Sequence, residues 1–327
     1  MLSILGMGYY HPATIIDNAF IEGLGVGATA EWIVDKIGIN TRRSTLPLSY
    51  IAETRNETPR QAMAVASENA TQMGVKAIEM ALKKAGITAA DVGMLVCNCC
   101  TPTHSLPVES TRLASVMGMK ALAFDVFTAC PAMALHADFV NHFKEEELPD
   151  YIVGVSTAAL TQSVDYHEHS DGAIWGDGAA AWVMSPRKAG RLKVLETVYT
   201  ADPTRCETVV VDTYGFFHQD GRLVRDFSVR QTVRLIKAVE SKFEIDWSRD
   251  AFIGHQANAT MLEQIVNNRG IPAANHWHNV SEMGNQAGAG APAVLAMNWE
   301  RLQPGQKVVV AVVGAGLSWG SVVLEAV

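Results

Sequence analysis

The sequence predicts an α/β fold built from two duplicated halves, and three observations lead to this prediction. Apolar runs of strand length recur along the chain, as expected for strands that are covered on both faces. Helical patterns separate many of these runs, and such alternation indicates the α/β class. The order of the elements in the first half of the chain then returns in the second half.

The strand and helix patterns can be placed along the chain. Nine segments carry the strand pattern, namely residues 2–8, 92–99, 121–127, 150–157, 179–185, 191–198, 250–256, 306–314 and 319–327. Three segments have apolar residues at helical spacing, namely residues 71–87, 229–243 and 258–271. Two of these helices stop at a glycine, Gly86 or Gly270, which is typical of a helix C-terminus.

The repeated order of elements suggests where one half ends. A long helix, a strand and a second helix from about Glu109 follow one another in the first half. The same succession returns in the second half, where the second helix begins at about Asn258. The polar segment 185–192 contains Gly and Pro and marks a seam. We therefore predict an N-terminal half at 1–185 and a C-terminal half at 186–327.

The composition excludes several classes of protein. Hydrophobic residues make up 48% and charged residues 18% of the 327 residues, so the chain can bury a substantial core and is not disordered. The net charge of −8 argues against nucleic-acid binding. No apolar stretch reaches the ~18 residues that a membrane span needs, and no basic leader precedes the first strand. We expect a soluble, cytoplasmic protein.

The cysteines and paired histidines do not form a recognisable metal pattern. Five cysteines and no secretory leader argue against a disulfide framework. The cluster "CNCC" at 97–100 lacks the spacing of common zinc sites, and no second pair matches it. The histidine pairs at 167–169 and 276–278 have no partner pattern either. We expect no metal, and we interpret these residues as structural or solvent-facing.

A single cysteine at a strand–helix junction is the first candidate for chemistry. Cys130 follows the apolar run 121–127 and precedes a helix-like stretch of Ala, Met and Leu. A helix N-terminus supplies partial positive charge and free N–H groups, so this position predicts an acidic, nucleophilic thiol. The alternative at this point is an inert buried cysteine.

Two further residues and a glycine-rich turn extend this candidate site. His255 ends an apolar strand in "FIGHQAN", and Asn285 lies in the Gly/Ala loop "EMGNQAGAGAP". The turn at 312–321 allows backbone N–H groups to approach a reacting carbonyl closely. Together these features indicate a nucleophile with nearby hydrogen-bond donors.

At this point the sequence resembles the thiolase superfamily, and specifically the ketoacyl-ACP synthase III-type condensing enzymes. The matching segments occur in the family's order and cover essentially the whole chain. They are "AEWIVDKIGINTRR" (30–43), "FDVFTACPAMAL" (124–135), "WGDGAAAWVM" (175–184), "FIGHQAN" (252–258), "MGNQAGAGAP" (283–292) and "LQPGQKVVVAVVGAGLSWGS" (302–321).

The resemblance implies a fold, an assembly and a reaction. The fold would be the thiolase-like five-layered α-β-α-β-α arrangement of two similar halves, in a homodimer. Cys130, His255 and Asn285 would form a catalytic triad, with the backbone N–H groups of Cys130 and Ala315 as an oxyanion hole. Cys130 would take an acyl group from a CoA or acyl-carrier-protein thioester, with no other cofactor. A second, malonyl- or β-ketoacyl-type thioester would then attack this acyl group through carbon.

The resemblance also assigns candidate substrate contacts, with some departures. Trp32 remains available to stack on adenine, but Lys36 stands where the family carries an arginine. Asn258 and Gly314 are further candidates for substrate contacts. Leu106 occupies the place of a residue, often aromatic, that reaches into the partner's acyl pocket.

The family's contacts with the carrier protein and with CoA are also altered. Thr260 replaces an arginine that contacts the carrier protein, so Arg230 and Arg269 are the candidates for a basic docking surface. A second CoA-facing arginine falls near Gln162. The segment 44–67 is longer than we expect in the fatty-acid initiating enzyme. These departures favour a relative in secondary metabolism, for which the dialkylresorcinol- or cyclohexanedione-forming branch is our candidate.

Three other functions remain open alongside this one. The chain could be the fatty-acid initiating β-ketoacyl-ACP synthase III itself. It could be an ester- or amide-forming acyltransferase on the same fold, but such branches often replace the asparagine by an acid that serves as a base. It could be a non-catalytic partner of another condensing enzyme, although such partners usually lose the triad.

Overall fold

The computed structural model describes residues 1–213 and 215–327, except for the side chains of His169 and Ser170. The strands are β1 (Ser3–Tyr10), β2 (Thr14–Asp17), β3 (Thr41–Ser44), β4 (Met94–Cys99), β5 (Leu122–Asp125), β6 (Ile152–Ala158), β7 (Gly178–Ser185), β8 (Leu192–Ala201), β9 (Val209–Val211), β10 (Phe217–Gln219), β11 (Ala251–Gly254), β12 (Lys307–Gly314) and β13 (Ser318–Ala326).

The α-helices alternate with these strands. They are α1 (Asn18–Gly23), α2 (Ala30–Lys36), α3 (Leu48–Thr54), α4 (Pro59–Val65), α5 (Ala70–Ala85), α6 (Glu109–Val116), α7 (Ala132–Asn141), α8 (His169–Gly172), α9 (Gly221–Lys242), α10 (Ala259–Arg269), α11 (Val280–Met283) and α12 (Gly290–Met297). No helix in the described part of the chain is long and apolar enough to cross a lipid bilayer.

A nine-stranded mixed sheet organises the molecule, in the order β11-β12-β13-β8-β1-β7-β6-β4-β5. Its strands are the nine that the apolar runs predicted, with ends shifted by a few residues. Strands β4, β6 and β7 are buried along their whole length, because helices cover both faces. The α/β prediction is confirmed.

The strand order repeats within this sheet. Strand β4 runs parallel to β6, and β6 is followed by the antiparallel strands β7 and β1. In the same way, β11 runs parallel to β12, and β12 is followed by the antiparallel strands β13 and β8. The two half-sheets are joined where Ser3 and Ile4 face Lys193 and Leu192. This repeat supports the proposed division after residue 185.

The second half-sheet has only a remnant of the edge strand that completes the first. Strand β5 runs parallel to β4 at one edge of the sheet. At the opposite edge, β11 has a parallel partner at a single bridge, between Phe252 and His276. The loops that follow β5 and this bridge therefore occupy equivalent places in the two halves.

Helices α7 and α12 lie between the two half-sheets. Helix α7 packs against β8 and β13 of one half-sheet and against β6 of the other. Helix α12 packs against β1 and β7 and also against β11. Helix α5 covers β1, β6 and β7 from outside, and α9 covers β12 and β13. This arrangement gives the predicted five layers of α, β, α, β and α.

The predicted helix 229–243 begins earlier than its apolar pattern indicated. Helix α9 starts at Gly221, because the carboxylate of Asp220 accepts a hydrogen bond from the backbone N–H of Leu223 at 3.0 Å and caps it. Its first turns carry the charged residues Arg222, Arg225 and Asp226, but Leu223 and Phe227 between them keep the i, i+4 spacing of a helix. This spacing and the capping residue Asp220 were the available signals for this helix start.

Candidate active site

Cys130 stands on a turn between β5 and α7. The preceding residue, Ala129, has a left-handed backbone with φ of 55°, which is uncommon for a residue with a side chain. Pro131 occupies the N-cap position, and the helix begins at Ala132. The sequence therefore placed Cys130 correctly, at the N-terminal end of a ten-residue helix.

The backbone around Gly314 comes unusually close to Cys130. A Cβ atom added at Gly314 would lie 2.9 Å from the Cβ of Cys130 and 3.0 Å from its backbone nitrogen. The backbone N–H of the next residue, Ala315, hydrogen-bonds the Cys130 sulfur. The structure thus brings together Cys130, Gly314 and Ala315, which the sequence assigned to one site.

The protonation of Cys130 differs from the expectation. Burial raises the pKa of the Cys130 thiol above its ordinary value, and the neighbouring Cys100 adds to the rise, while the Ala315 N–H opposes it. A helix N-terminus stabilises an adjacent anion by up to ~2 kcal/mol. Full burial can shift a pKa by about 3–5 units, or ~4–7 kcal/mol. The prediction of an acidic thiol is therefore wrong, and Cys130 rests as the neutral thiol.

His255 is buried just after β11 and is also neutral. Burial lowers the pKa of His255 to about 4. Its Nδ1 atom is buried and has no hydrogen-bond partner among the described residues. Buried N–H groups without a partner are rarer than buried acceptors without one, so the proton is better placed on Nε2. The imidazole then presents an N–H donor at Nε2.

Asn285 lies in the loop between α11 and α12, and its side chain is oriented by that loop. Its Oδ1 atom accepts a hydrogen bond from the backbone N–H of Ala287 at 2.9 Å. Ala287 has a left-handed backbone with φ of 47°. Because Oδ1 is held in this way, the amide Nδ2 of Asn285 is the group directed to another partner.

The three loops that carry these side chains are in contact. A Cβ atom at Gly288, in the Asn285 loop, would lie 2.4 Å from the carbonyl oxygen of Ala129. A Cβ atom at Gly290 would lie 2.9 Å from the Cβ of Gln256, the residue after His255. The loops of Cys130, His255 and Asn285 therefore converge at one place in the molecule.

A cavity of about 780 Å³ opens beside Cys130. Cys130, Ala287 and Ala315 form part of its wall, whereas His255 and Asn285 are buried in adjoining loops. The rest of the wall is mostly apolar and includes Pro59, Met63, Leu160, Trp175, Val209, Val211 and Phe217. The cavity is large enough for a bulky or extended acyl group.

The cavity wall explains one departure seen in the sequence. Pro59 and Met63 belong to α4, within the segment 44–67 that is longer than expected. Gln162 also lines the cavity and is buried, with its amide donating to Thr45 Oγ1 at 3.0 Å. Gln162 therefore faces the buried cavity and does not lie on a surface that could hold a CoA phosphate.

Trp32, Lys36 and Asn258 lie at one junction of two helices. Helix α2 ends against the start of α10, where the Thr260 hydroxyl donates to the carbonyl of Lys36 at 2.9 Å. Asn258 caps α10 by accepting from the N–H of Met261, and Trp32 is half-buried. The Lys36 ammonium is exposed and pairs with Asp35 at 2.6 Å.

The remaining predicted contacts lie on the surface. Leu106 is 83% exposed. Arg230 is exposed on α9. Arg269 is less suited to docking, because it forms an ion pair with Glu240 and lies roughly 16 Å along α10 from Asn258.

Within residues 1–213 and 215–327, no group of three or more His, Cys, Asp or Glu side chains has the arrangement of a metal site. The rings of His276 and His278 stack at 4.8 Å between centroids. The side chain of His169 lies outside the described residues.

Sequence reasoning missed two buried polar residues near the site. Asp177 accepts hydrogen bonds from Thr45 and Thr161, two from each, and burial raises the pKa of its carboxyl to about 6. Asn98 contacts the turn that carries Cys130. In both cases the feature of the sequence that could have identified the residue is a single polar side chain within an otherwise apolar segment.

Comparisons with known proteins agree with this geometry. A family profile described as 3-oxoacyl-[acyl-carrier-protein (ACP)] synthase III matches residues 124–203, and the profile of its C-terminal part matches residues 244–326. A β-ketoacyl-[acyl-carrier-protein] synthase III of Ruegeria sp. strain TM1040 is 27% identical over 340 residues, covering 98% of each chain. The chain belongs to the 3-oxoacyl-ACP synthase III family. It is therefore an enzyme of the acyltransferase class.

Solved structures of 3-oxoacyl-ACP synthase III proteins share the fold. The Aquifex aeolicus protein superposes with a TM-score of 0.87 at 23% identity, covering 99% of this chain and 100% of that one. The priming β-ketosynthase of the R1128 polyketide biosynthetic pathway has a TM-score of 0.82 at 24% identity, covering 100% and 96%. Enzymes of this family need no cofactor beyond their thioester substrates.

The neutral resting state of Cys130 can be tested by alkylation. Because its pKa is raised, the thiolate fraction is small at neutral pH and grows about tenfold per pH unit. With iodoacetamide at pH about 7, we expect Cys130 to react at least about tenfold more slowly than the exposed Cys206. Peptide mass mapping over a pH series measures both rates in one sample. A Cys130 rate that is already constant above pH about 6 would contradict the assignment.

Proposed function

We propose that this enzyme forms a carbon–carbon bond between two acyl thioesters. The observation that carries this proposal is the convergence of a cavity-facing thiol with a neutral histidine and an oriented asparagine amide. Neutral donors in a buried site stabilise a developing oxyanion and do not act as strong bases. Such a site suits a condensation better than the deprotonation of an alcohol or amine.

The first step is acyl transfer to Cys130. The sulfur attacks the carbonyl of an acyl thioester and loses its proton, and the thiol of CoA or of the carrier protein leaves. The backbone N–H groups of Cys130 and Ala315 are placed to bind the oxyanion of this step, as proposed from the sequence. The apolar cavity beside Cys130 then holds the acyl chain.

The second step joins the two acyl groups. A malonyl-type thioester gives the carbanion by losing CO2, and a β-ketoacyl-type thioester gives it by losing its α-proton. The carbanion attacks the carbonyl of the acyl-cysteine and releases the Cys130 thiolate. This thiolate then takes up a proton, which is the α-proton in the β-ketoacyl case and a solvent proton in the malonyl case. The negative charge of the enolate develops on the second thioester's oxygen, where His255 Nε2–H and Asn285 Nδ2–H can donate. Burial strengthens both hydrogen bonds, because water does not compete for the oxygen.

Two further parts of the proposal concern the metabolic pathway and the thioester donor. The long segment that supplies Pro59 and Met63, and the substitution at Lys36, favour secondary metabolism, including the dialkylresorcinol- or cyclohexanedione-forming branch. The names of the relatives support initiation of fatty-acid synthesis equally well. Trp32, Lys36, Asn258 and Gly314 remain our candidates for contacts to the pantetheine or CoA moiety. A cytoplasmic location is part of the proposal.

A basic face on α9 supports a carrier protein as one partner. Six exposed cations lie along this helix, namely Arg222, Arg225, Arg230, Arg234, Lys237 and Lys242. The helix begins two residues after the strand that contributes Phe217 to the cavity. A basic surface attracts an acidic carrier protein and orients its thioester arm. Arg230 is retained as a docking residue, and Arg269 contributes less because Glu240 neutralises it.

The free edge of the sheet supports a homodimer. Strand β5 is the last strand of the sheet, and it exposes unpaired backbone groups. Leu122 on this strand is 62% exposed, and Phe127 just beyond it is 58% exposed. A second copy that pairs at this edge would cover both side chains and place Leu106 in the partner's cavity.

The two catalytic steps separate in variants of Cys130 and Asn285. We expect Cys130→Ala to form no acyl adduct with any thioester in a panel of acyl-CoA and acyl-carrier-protein donors. Asn285→Ala should still be acylated within a few-fold of the normal rate, while product formation falls about 10²–10³-fold, the usual loss for one oxyanion donor. Intact-protein mass spectrometry and product analysis measure the two steps. Equal loss of both steps in Asn285→Ala, or an ester or amide product, would sink the proposal.

The dimer can be tested by placing a charge on the sheet edge. Leu122→Lys should raise the dimer dissociation constant at least about tenfold, because a buried lysine has no partner there. Ile15→Lys changes an apolar residue on β2 that is 45% exposed, and it serves as the control. Sedimentation equilibrium measures the dimer dissociation constants of the two variants and of the wild-type protein. A monomeric wild-type protein, or equal effects of the two changes, would exclude this interface.

The carrier surface can be tested by charge reversal. Arg230→Glu should raise KM for an acyl-carrier-protein donor about tenfold at low salt and leave KM for acyl-CoA unchanged. Lys83→Glu, which reverses an exposed charge on α5, is the control. Steady-state kinetics with the acyl-carrier-protein donor and with acyl-CoA measure these KM values for each variant and for the wild-type protein. An equal change for acyl-CoA would contradict a docking role.

A further inference from the structure

Asn98 lies near the end of β4 and contacts the turn that carries Cys130. Its Oδ1 atom accepts a hydrogen bond from the backbone N–H of Thr128 at 2.9 Å. Its Nδ2 atom donates to the carbonyl oxygen of Ala129 at 3.0 Å and to the Ser156 hydroxyl at 3.0 Å. One fully buried side chain therefore satisfies two backbone groups directly before the nucleophile.

These contacts support the part of the turn in which the backbone conformation is strained, at Ala129. Ala129 adopts the left-handed conformation, which is unfavourable for a residue with a side chain. Such a conformation persists only when its surroundings hold it. The two hydrogen bonds from Asn98 supply that support, because a rotation at Ala129 would turn its carbonyl away from Nδ2.

The same residue also touches the Asn285 loop. A Cβ atom at Gly288 would lie 2.9 Å from Asn98 Nδ2, as well as 2.4 Å from the Ala129 carbonyl oxygen. The backbone N–H of Gly288 hydrogen-bonds the sulfur of Cys100, two residues after Asn98. The end of β4 thus holds the Cys130 turn on one side and the Asn285 loop on the other.

We infer that Asn98 is a positioning residue that fixes the Cys130 turn against the Asn285 loop. This inference rests on the proposed role of Cys130 as the acylated nucleophile. Asn98 is not expected to touch substrate, since its polar groups are taken up by Thr128, Ala129 and Ser156. Its loss should slow the attack of the sulfur while leaving thioester binding intact.

Two variants of Asn98 separate positioning from packing. Asn98→Asp keeps the size and the acceptor for Thr128, but it has no donor when ionised and only one when protonated, where Asn98 uses two, so the turn should relax. Asn98→Ala removes all three hydrogen bonds. We expect the maximal acylation rate of Cys130 to fall about tenfold or more in Asn98→Asp and further in Asn98→Ala. The thioester concentration that gives half-maximal rate should stay within threefold. Ser156→Ala removes one partner of Asn98 but not the contacts to the turn. Its maximal acylation rate and its half-saturating thioester concentration should both stay within threefold of the wild-type values.

Three measurements keep the outcomes distinct. Rapid-quench mass spectrometry gives the acylation rate, and calorimetry shows whether each variant is folded. Iodoacetamide labelling of Cys130 relative to Cys206 reports on the conformation of the turn without any thioester. If wild-type Cys130 is not acylated at all, the proposed function fails, and the labelling ratio still decides the role of Asn98. Folded Asn98→Asp with a normal acylation rate and labelling ratio would overturn the inference.

A second variant covers the case in which both Asn98 changes prevent folding. Gly288→Ala keeps the Asn98 side chain but introduces a Cβ atom 2.4 Å from the Ala129 carbonyl oxygen and 2.9 Å from Asn98 Nδ2. We expect it to slow both acylation and condensation about tenfold, because the two loops must move apart. Unchanged rates in Gly288→Ala would show that their contact has no part in positioning.

Discussion

The close approach of two glycines to one turn is the constraint on which the site depends. Gly314 and Gly288 leave no space for a side chain beside Ala129 and Cys130. Because backbone meets backbone there, the Ala315 N–H reaches the sulfur, and the Asn285 loop lies against the same turn. Protein interiors resist small displacements, so this contact sets the separations among the reacting groups more firmly than flexible side chains could.

Burial at this place also decides the charges. It raises the pKa of the Cys130 thiol and lowers the pKa of His255 to about 4, so both groups rest uncharged. A charged pair would bind water and would hold an acyl chain poorly in an apolar cavity. The cost is a less reactive sulfur, which must lose its proton during attack. The benefit comes in the second step, where neutral donors face a developing enolate in a dry site.

The sequence predicted the large elements well and the local contacts poorly, for physical reasons. The nine strands of the sheet follow from apolar runs, and Cys130, His255 and Asn285 from their places at strand and helix ends. The start of α9 at Gly221 was missed, because charged residues interrupt the apolar spacing that Leu223 and Phe227 carry in its first turns. The role of Asn98 was missed, since only its polarity within an apolar segment marked it and the backbone groups that it supports lie about thirty residues away. The direction of the Cys130 pKa shift depends on burial, which local pattern does not report.

The duplicated architecture explains why the site lies between the halves. Asn98 near the end of β4 and His255 after the end of β11 occupy equivalent places, and one supports a turn while the other is proposed to donate to substrate. The Cys130 turn follows β5, and the Asn285 loop follows the equivalent bridge at His276. A reaction between these loops therefore needs the two halves to keep a fixed relation. Because α7 and α12 each pack against both half-sheets, sliding of one half past the other would disrupt both helices, and this opposes any drift of the thiol from its donors.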